Sequence, residues 1–215
     1  MDRLPTKEFY DTLASSWDET RPEFTSTIFA EIVSLLDKTR PLLILDFGCG
    51  TGLLSKYLHE NLPSAKIDGI DISSEMVARA RMSCPNCTFY AGGIFSTRLP
   101  HYDVVIAKDV FNHIDDIPKT ILRLDGLLND EGTIVVANRE RDASVRSSIR
   151  RTLNSLHYRA STHTYSFQPT EEEVDSFLRS LSGFDDRQKD MIRVRLVTPS
   201  EYYIVDARKN LRVIS

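Results

Sequence analysis

The chain has 215 residues and a formal net charge of −4, from 27 basic and 31 acidic side chains. An apolar content of 41% is typical of a soluble domain that buries a core without disulfide or metal staples. The acidic balance argues against a general nucleic-acid binder. No apolar run approaches the ~18 residues that span a bilayer, and the polar start lacks the apolar part of a signal peptide. We therefore expect a cytoplasmic protein with no membrane or nucleic-acid partner.

Short β-rich runs alternate with segments of helical period through the middle of the chain. The predicted strands are 42–45, 66–70, 88–90, 103–107 and 132–138, and the predicted helices are 24–37, one starting near Leu53, one capped by Ser73 or Ser74, and 117–128. Such alternation is typical of βαβ units around a parallel sheet. We therefore expect a Rossmann-like, doubly wound α/β fold with a mostly parallel sheet and helices on both faces.

The last third of the chain departs from this pattern. Residues 139–158 are basic and of helical period, and Thr170 with Glu173 forms a capping box for a helix that Gly183 ends. Two β-rich runs, 191–197 and 202–207, follow with a turn between them. They predict an antiparallel strand pair at the C-terminal end of the sheet.

A glycine-rich segment at 46–52, Asp-Phe-Gly-Cys-Gly-Thr-Gly, follows the first predicted strand and opens a helix. Glycines there permit a tight turn and the close approach of a ligand to the backbone, beside the unpaired N–H groups of a helix start. Leu53 stands where a dinucleotide fingerprint has its third glycine, and no Lys-Ser or Lys-Thr pair follows as in a P-loop. By itself the segment fits either a plain turn or a nucleotide-type ligand site.

An acidic residue, Asp71, ends the second predicted strand. An acid about 20 residues after a glycine turn can accept hydrogen bonds from both ribose hydroxyls of a nucleoside. A single Asp after a strand is more often a helix cap. The position of Asp71 after this particular turn favours the ribose interpretation.

These motifs together resemble the class I S-adenosylmethionine-dependent methyltransferases. The matching segments are 46–52, Gly-Ile-Asp-Ile-Ser-Ser-Glu-Met at 69–76, the Ala-Arg pair at 80–81, Tyr-Asp-Val-Val-Ile-Ala at 102–107 with Asn-His-Ile-Asp-Asp at 112–116, and 127–136. The resemblance extends over residues 10–208 and is strongest from 42 to 137. It implies one methyltransferase domain over 1–215 that uses S-adenosylmethionine and releases S-adenosylhomocysteine.

The resemblance also implies where the cofactor binds. It places Asp46, Gly48 and Gly50 at the methionine part, with Cys49 between them, Asp71 at the ribose, Ile72 and Met76 against the adenine, and Lys108 and Asp109 beside the cofactor after the fourth strand. In open α/β sheets, ligands bind at the carboxyl ends of the strands. Each of these residues lies at such an end.

One position departs from the family pattern. An acid after the third strand often accepts a hydrogen bond from the adenine amino group in this family, whereas this chain has Gly93 there. Backbone groups of Gly93 and Ile94 are the expected replacement. The departure keeps open an alternative function, a non-catalytic cofactor-binding or partner subunit with a methyltransferase fold.

The N-terminal segment 9–18 resembles the opening of the small-molecule branch of the family, including the quinone-biosynthesis and tellurite-type enzymes. Its aromatic-acid pairs are Tyr10-Asp11 and Trp17-Asp18. The resemblance implies that residues 1–40 form a helical lid in which Tyr10 and Trp17 contact the cofactor. The other interpretation is an ordinary amphipathic helix packed on the sheet, since aromatic residues at helical spacing are most often core.

Residues that bind the methyl acceptor are harder to identify. His113 lies in the loop that the acceptor approaches and is either a general base or a residue that only shapes the pocket. The resemblance implies a cap over the acceptor pocket at 139–170. The candidates there are Arg139, His157, Tyr158, His163 and Tyr165. Arginines in this segment bind a carboxylate or phosphate or form a solvated helix face.

The cysteines predict neither a disulfide framework nor a metal site. The chain has three of them, an odd number. Cys84-Pro85-Asn86-Cys87 is a single C-x-x-C without the second pair or the histidines that a zinc site needs. We interpret Cys84 and Cys87 as loop cysteines without a functional role.

A small-molecule acceptor is expected, bound by a monomer or a homodimer. The segment 107–111, Ala-Lys-Asp-Val-Phe, differs from the Asn-Pro-Pro-aromatic motif of enzymes that methylate amino nitrogens of bases or glutamine. In-line methyl transfer depends mainly on alignment, so the pattern leaves open whether oxygen, nitrogen, carbon or sulfur is methylated. A nicotinamide-dependent oxidoreductase is a further alternative, which Leu53 disfavours.

Overall fold

The computed structural model describes residues 6–18, 25–139, 143–156, 158–167 and 200–209. The helices are α1 (Thr6–Leu13), α2 (Thr25–Ser34), α3 (Leu53–Asn61), α4 (Ser74–Ser83), α5 (Ile117–Asp125) and α6 (Ala143–Ser155). The strands are β1 (Leu43–Phe47), β2 (Lys66–Asp71), β3 (Thr88–Ala91), β4 (Tyr102–Lys108), β5 (Leu128–Arg139), β6 (Tyr158–Phe167) and β7 (Ser200–Lys209). Each strand and helix predicted between residues 24 and 138 has its counterpart here.

The strands form one sheet in the order β3-β2-β1-β4-β5-β7-β6. The first five strands of this order are parallel to one another. The order reverses between β1 and β4, because β2 and β3 extend the sheet to one side of β1 and β4 and β5 extend it to the other. A crevice at the carboxyl ends of the strands at such a point is where open α/β sheets bind ligands. The predicted Rossmann-like α/β fold is confirmed.

The sheet is buried on both faces by helices. Neighbouring residues of one strand belong to opposite cores: Ile44 packs with Ile28 and Ile32 of α2, whereas Leu45 packs with Ile121 of α5 and Leu153 of α6. Strands buried on both sides consist of nearly continuous apolar residues. This explains why the central strands were recognisable in the sequence.

The C-terminal strands extend the parallel part of the sheet. Strand β7 pairs antiparallel with β5 and with β6. The predicted run 202–207 lies within β7, but its predicted partner 191–197 and the predicted helix from Thr170 lie outside the described residues, so that strand pair is not confirmed. Strand β6 was not predicted, although its threonines and tyrosines favour strands.

Helix α5 ends earlier than predicted, and β5 begins earlier. Asp125 is the last residue of α5, and Gly126 caps it. Tyr102 pairs with Leu128 before an irregularity shifts the register to Val104 and Thr133. The left-handed backbone of Glu131, with a φ of 63°, lies in this shifted segment. The strand therefore includes residues that by composition alone resemble a turn.

A disulfide joins Cys84 to Cys87 in the turn between α4 and β3. Cys87 N donates a hydrogen bond of 3.0 Å to Cys84 O, and this tight turn sets the Cα atoms 5.4 Å apart, within the range for a disulfide. The bond was not predicted, because an odd number of cysteines argues against a framework of bridges but not against one local bridge. Cys49 is a buried free thiol.

Candidate active site

A cavity of about 670 Å³ lies at the carboxyl ends of β1, β2 and β4. This volume is within the usual range of small-molecule sites. The predicted residues that line it are Tyr10, Trp17, Asp46, Gly48, Cys49, Gly50, Asp71, Ile72, Met76, Gly93, Ile94, Lys108, Asp109 and His113. The fold therefore brings every predicted cofactor residue, and the candidate base, to one cavity.

The glycine turn after β1 forms one wall. Gly48, Gly50 and Gly52 have φ values of 75°, 52° and 81°, a left-handed backbone that side chains with a Cβ disfavour. The N–H groups of Gly48 and Cys49 donate to Ile70 O at 2.8 and 3.1 Å. These bonds hold the turn against β2 and present its backbone to the cavity.

Asp71 at the end of β2 joins this turn to the start of α4. Its Oδ2 accepts a hydrogen bond of 2.9 Å from Gly50 N, and its Oδ1 accepts one of 2.9 Å from Ser73 N. Burial raises the pKa of Asp71 above its ordinary value, against the effect of these bonds. Ser73 caps α4, since its hydroxyl accepts from Met76 N, as predicted.

Asp46 at the end of β1 is the second acid of the cavity. It is 1% exposed, and its Oδ2 accepts a hydrogen bond of 2.7 Å from Ser55 Oγ. Burial raises the pKa of Asp46 to about 6, although the Ser55 hydroxyl and the charge of Lys108 oppose the shift. The buried Asp46 and the partly buried Asp71 thus make the cavity suited to a ligand with positive charge and hydroxyl donors.

Asp46→Asn is expected to stabilise the unliganded protein at neutral and alkaline pH. The native state holds the Asp46 proton more tightly than the unfolded state does, so the stability of the wild type declines as pH rises from 3.8 to about 6. Above pH 6 this loss in the free energy of unfolding is complete and amounts to about 3 kcal/mol. Urea unfolding of the wild type and the variant at pH 4 and pH 8 measures the loss. An equal stability difference at the two pH values would contradict this expectation.

The N-terminal segment is hydrogen-bonded to residues beside the cavity. Asp11 Oδ1 accepts a hydrogen bond of 2.6 Å from Ser73 Oγ, and Asp18 Oδ1 accepts one of 2.6 Å from Thr51 Oγ1. Helix α1 contains no fully buried residue, unlike a helix packed into the core. The lid role of residues 1–40 stays a prediction.

Tyr10 connects the lid to the loop after β4. Its hydroxyl shares a hydrogen bond of 2.9 Å with Nε2 of His113. Its ring makes edge contacts with His113 and Trp17, with centroid distances of 5.5 and 5.4 Å. The candidate base is therefore held by a residue 103 positions earlier in the chain.

The backbone after β4 is strained beside the cavity. Asp109 has a φ of 57°, which is uncommon for a residue other than glycine, and its N–H donates to Ala137 O at 2.8 Å. Its carboxylate accepts a hydrogen bond from Lys108 Nζ. Strain of this kind is concentrated at functional sites.

The loop after β3 forms the far end of the cavity. The carbonyl of Gly93 accepts hydrogen bonds from Ser96 N and Thr97 N. Arg123 of α5 donates to Ile94 O at 3.0 Å and to Thr97 O at 3.3 Å. Hydrogen bonds within its own turn and from Arg123 of α5 therefore hold this loop in place.

The described acceptor candidates of the predicted cap lie on strands β5 and β6. Arg139 ends β5 in register with Tyr202, which pairs with Tyr165, and His163 pairs with Ile204. Tyr158 begins β6, at the end of the sheet opposite the cavity. His157 lies outside the described residues. Of the described residues that line the cavity, the last in the chain is Thr120, so the role of this segment stays a prediction.

Several residues of the site were missed from the sequence. Those that line the cavity include Thr6, Phe9, Leu13, Phe29, Thr51, Asn112, Ile114 and Thr120. The bonding roles of Asp11 and Asp18 were also missed. A signal for these two existed, since the aromatic-acid pairs at 10–11 and 17–18 are seven residues apart, close to two helical turns.

Metal ligands and membrane spans were also considered. No group of three or more metal-ligating side chains occurs within the described ranges. No helix in that part of the chain is long and apolar enough to cross a bilayer.

Comparison with known proteins gives consistent matches. Residues 45–134 match a family described as a methyltransferase domain. The malonyl-[acyl-carrier protein] O-methyltransferase of Halalkalibacterium halodurans is 34% identical over 48% of this chain and 44% of its own length. The trans-aconitate 2-methyltransferase of Escherichia coli O139:H28 is 33% identical over 43% of this chain and 37% of its own. The matches thus span less than half of these relatives.

A solved structure shares the fold over nearly the whole chain. The plantazolicin methyltransferase BpumL, in complex with a desmethyl analogue and SAH, superposes with a TM-score of 0.59 and 20% identity. The match covers 94% of this chain and 96% of that one. At this identity the likeness shows a common fold.

Proposed function

We propose that this chain, which belongs to the class I S-adenosylmethionine-dependent methyltransferases, transfers the methyl group of S-adenosylmethionine to a small-molecule acceptor. The observation that carries the proposal is the hydrogen bond from Gly50 N to Asp71 Oδ2. It joins the glycine turn after β1 to the acid after β2, and so forms a continuous edge for a nucleoside and its attached amino acid. Asp46 lies behind the same turn.

The residues present fit this cofactor by charge. S-adenosylmethionine carries a positive sulfonium and an ammonium group, and the cavity contains the buried Asp46 and the partly buried Asp71. We assign Asp46 to the ammonium end and Asp71 to the ribose hydroxyls. Trp17 and Tyr10 present aromatic rings above the glycine turn, where aromatic faces attract a cation.

The chain contributes alignment and exclusion of water. The bound cofactor supplies a methyl group activated by a positive sulfur. The walls after β1, β2 and β4 hold one reactant, and the loop 110–114 faces the space left for the other. Correct alignment of two reactants supplies about 7–11 kcal/mol of a barrier. The lid contacts of Asp11 and Asp18 close the cavity against water.

His113 is the candidate group for removing a proton from the acceptor. It lines the cavity, and its Nε2 shares a hydrogen bond with the Tyr10 hydroxyl. Tyr10 is a positioning residue in this scheme, because it holds the imidazole ring toward the cavity. An acceptor that is already an anion needs no such proton transfer.

Tyr10→Phe is expected to speed the release of S-adenosylhomocysteine. The variant keeps the ring contacts with Trp17 and His113 but removes the hydroxyl that joins the lid to the β4 loop. Loss of one hydrogen bond corresponds to a change of about 2- to 12-fold. Stopped-flow fluorescence of Trp17 measures the rate, with Glu8→Gln, at an exposed residue of the same helix outside the cavity, as a control. An unchanged rate would show that the hydroxyl does not hold the lid.

Asp46→Asn is expected to weaken cofactor binding while it stabilises the unliganded protein. The amide retains an acceptor for Ser55 Oγ but loses the charge that attracts the ammonium group. Wild-type affinity should fall as pH decreases through about 6, where Asp46 becomes protonated. The affinity of the Asp46→Asn variant should lack the part of this pH dependence that comes from protonation of Asp46.

Calorimetry with S-adenosylmethionine and S-adenosylhomocysteine, with NAD as control, tests the proposal. Micromolar binding of the first two and none of NAD is expected. A panel of acceptors follows, beginning with carboxylic acids such as malonyl thioesters and trans-aconitate, because the curated relatives are named for these. Absence of binding at millimolar ligand would overturn the proposal. Binding without product from any acceptor would favour the alternative, a non-catalytic cofactor-binding or partner subunit.

A further inference from the structure

We infer that the far end of the cavity recognises the ring N1 of adenine and leaves the 6-amino group unread, so that this protein also binds cofactors that lack this group. The inference rests on the proposed cofactor and its placement with the base between Ile72 and Ile94. It makes Gly93 the residue that decides specificity for the base. It concerns only the choice among cofactors and is independent of the acceptor.

No carboxylate faces the base at this end. The described residues that line it are Ile72, Met76, Gly92, Gly93, Ile94, Phe95 and Thr120. Thr120 is the one side chain of this set with an oxygen, and it is buried, with its hydroxyl donated to Asp116 O at 2.9 Å. An exocyclic amino group therefore meets no charged acceptor here.

The backbone of the loop that lines this end of the cavity has N–H groups that are not used within the described protein. The carbonyl of Gly93 accepts from Ser96 N at 3.1 Å and from Thr97 N at 3.0 Å, and that of Ile94 accepts from Arg123 Nε at 3.0 Å. Within the described ranges, the N–H groups of Ile94 and Phe95 make no hydrogen bond. An N–H group requires an acceptor, and N1 of adenine is an acceptor at the edge of the base.

Space exists where an acid would stand. Among the described residues, and leaving out its chain neighbours, a Cβ placed on Gly93 would have Ser96 Oγ alone within 4 Å, at 3.4 Å. The flanking side chains Ile72 and Phe95 are 46% and 53% exposed, so this end of the cavity opens to solvent. The 6-amino group can therefore be absent without leaving a charged protein group unpaired.

Three bases distinguish this mode of recognition from others. Adenine and purine, which lacks the 6-amino group, both have an acceptor at N1, but only adenine has an N–H at position 6. Hypoxanthine has an N–H at N1, which would face the loop donors and leave both groups without an acceptor. A donor that faces another donor weakens binding by about tenfold or more.

Calorimetry with S-adenosylhomocysteine and its purine and hypoxanthine analogues tests the inference. We expect the purine analogue to bind within about threefold of the parent and the hypoxanthine analogue about tenfold or more weakly. A purine analogue weakened by about tenfold or more would overturn the inference while leaving the proposed function intact. Failure of the parent itself to bind would overturn the proposed function.

Gly93→Asp provides a second test in the same protein. An aspartate at 93 adds the missing acceptor, so we expect about tenfold tighter binding of the parent and no gain for the purine analogue. Gly93→Ala, which adds the Cβ alone, is the reference variant, and each effect of Gly93→Asp is measured relative to it. Equal effects of Gly93→Asp on the two ligands would show that position 93 does not read the amino group. Thermal melts of each variant establish that it is folded.

Discussion

Asp71→Ala is expected to weaken binding of S-adenosylmethionine by about a hundredfold or more. Two effects add. The substitution removes the acceptor assigned to the ribose hydroxyls, and it leaves Gly50 N and Ser73 N without the carboxylate they bond to at 2.9 Å. Hydrogen bonds to a charged group contribute about 1.5–3 kcal/mol each. Calorimetry on the purified variant measures the loss.

Asp68→Asn is the matched control for this measurement. Asp68 lies on the same strand and is also buried, with Tyr102 donating to its Oδ2 at 2.9 Å, but it does not line the cavity. The Asp68→Asn variant should bind S-adenosylmethionine with the affinity of the wild type. If Asp71→Ala bound as tightly as this control, the ribose assignment and the proposed orientation of the cofactor would both be wrong.

Gly48→Ala is expected to destabilise the protein by about 2–5 kcal/mol and to abolish cofactor binding. The left-handed backbone at Gly48, with a φ of 75°, disfavours alanine by about 1–2 kcal/mol. A Cβ there would also lie 2.2 Å from Val110 Cγ2, and overpacking of this kind adds about 1–3 kcal/mol. Urea unfolding at neutral pH separates the loss of stability from the loss of binding.

A second substitution tests the steric part of this effect. In Gly48→Ala/Val110→Ala the nearest remaining atom of residue 110 is its Cβ, at 3.4 Å, so the clash is removed and only the backbone strain remains. A double-mutant cycle should show recovery of about 1–3 kcal/mol. Gly50→Ala is the further control, because a Cβ there would have, among the described residues other than its chain neighbours, Trp17 Nε1 alone within 4 Å, at 3.8 Å. Additive losses in the double variant would contradict the clash.

The central α/β architecture could be predicted because its signals are local. Strands such as β1 and β4 are buried on both faces and form continuous apolar runs. The turn between β1 and α3 contains three glycines in left-handed conformations, a requirement that only glycine meets without strain. Cofactor residues at the carboxyl ends of these strands were predicted from the same short segments, and all of them line one cavity.

Other features depended on pairing that local composition does not express. Strand β6 follows a basic helix and forms by pairing with β7, which is more than thirty residues away in the chain. The early start of β5 depends on the pairing of Leu128 with Tyr102. The bridge between Cys84 and Cys87 required the geometry of the turn that follows α4, and the count of cysteines carries no information about it.

By itself, the sequence determined the fold class, the glycine turn and the acids Asp46 and Asp71, because each is specified by residues within a few positions of one another. It also showed that Gly93 stands where the resemblance leads one to expect an acid. The tertiary structure decided how distant segments meet: Tyr10 with His113, Asp11 with Ser73, and Asp18 with Thr51. It also decided which carbonyls of the Gly93 loop are already bonded. These contacts form only when the sheet brings the carboxyl ends of its strands together. The residues that make them show no periodic pattern in the sequence.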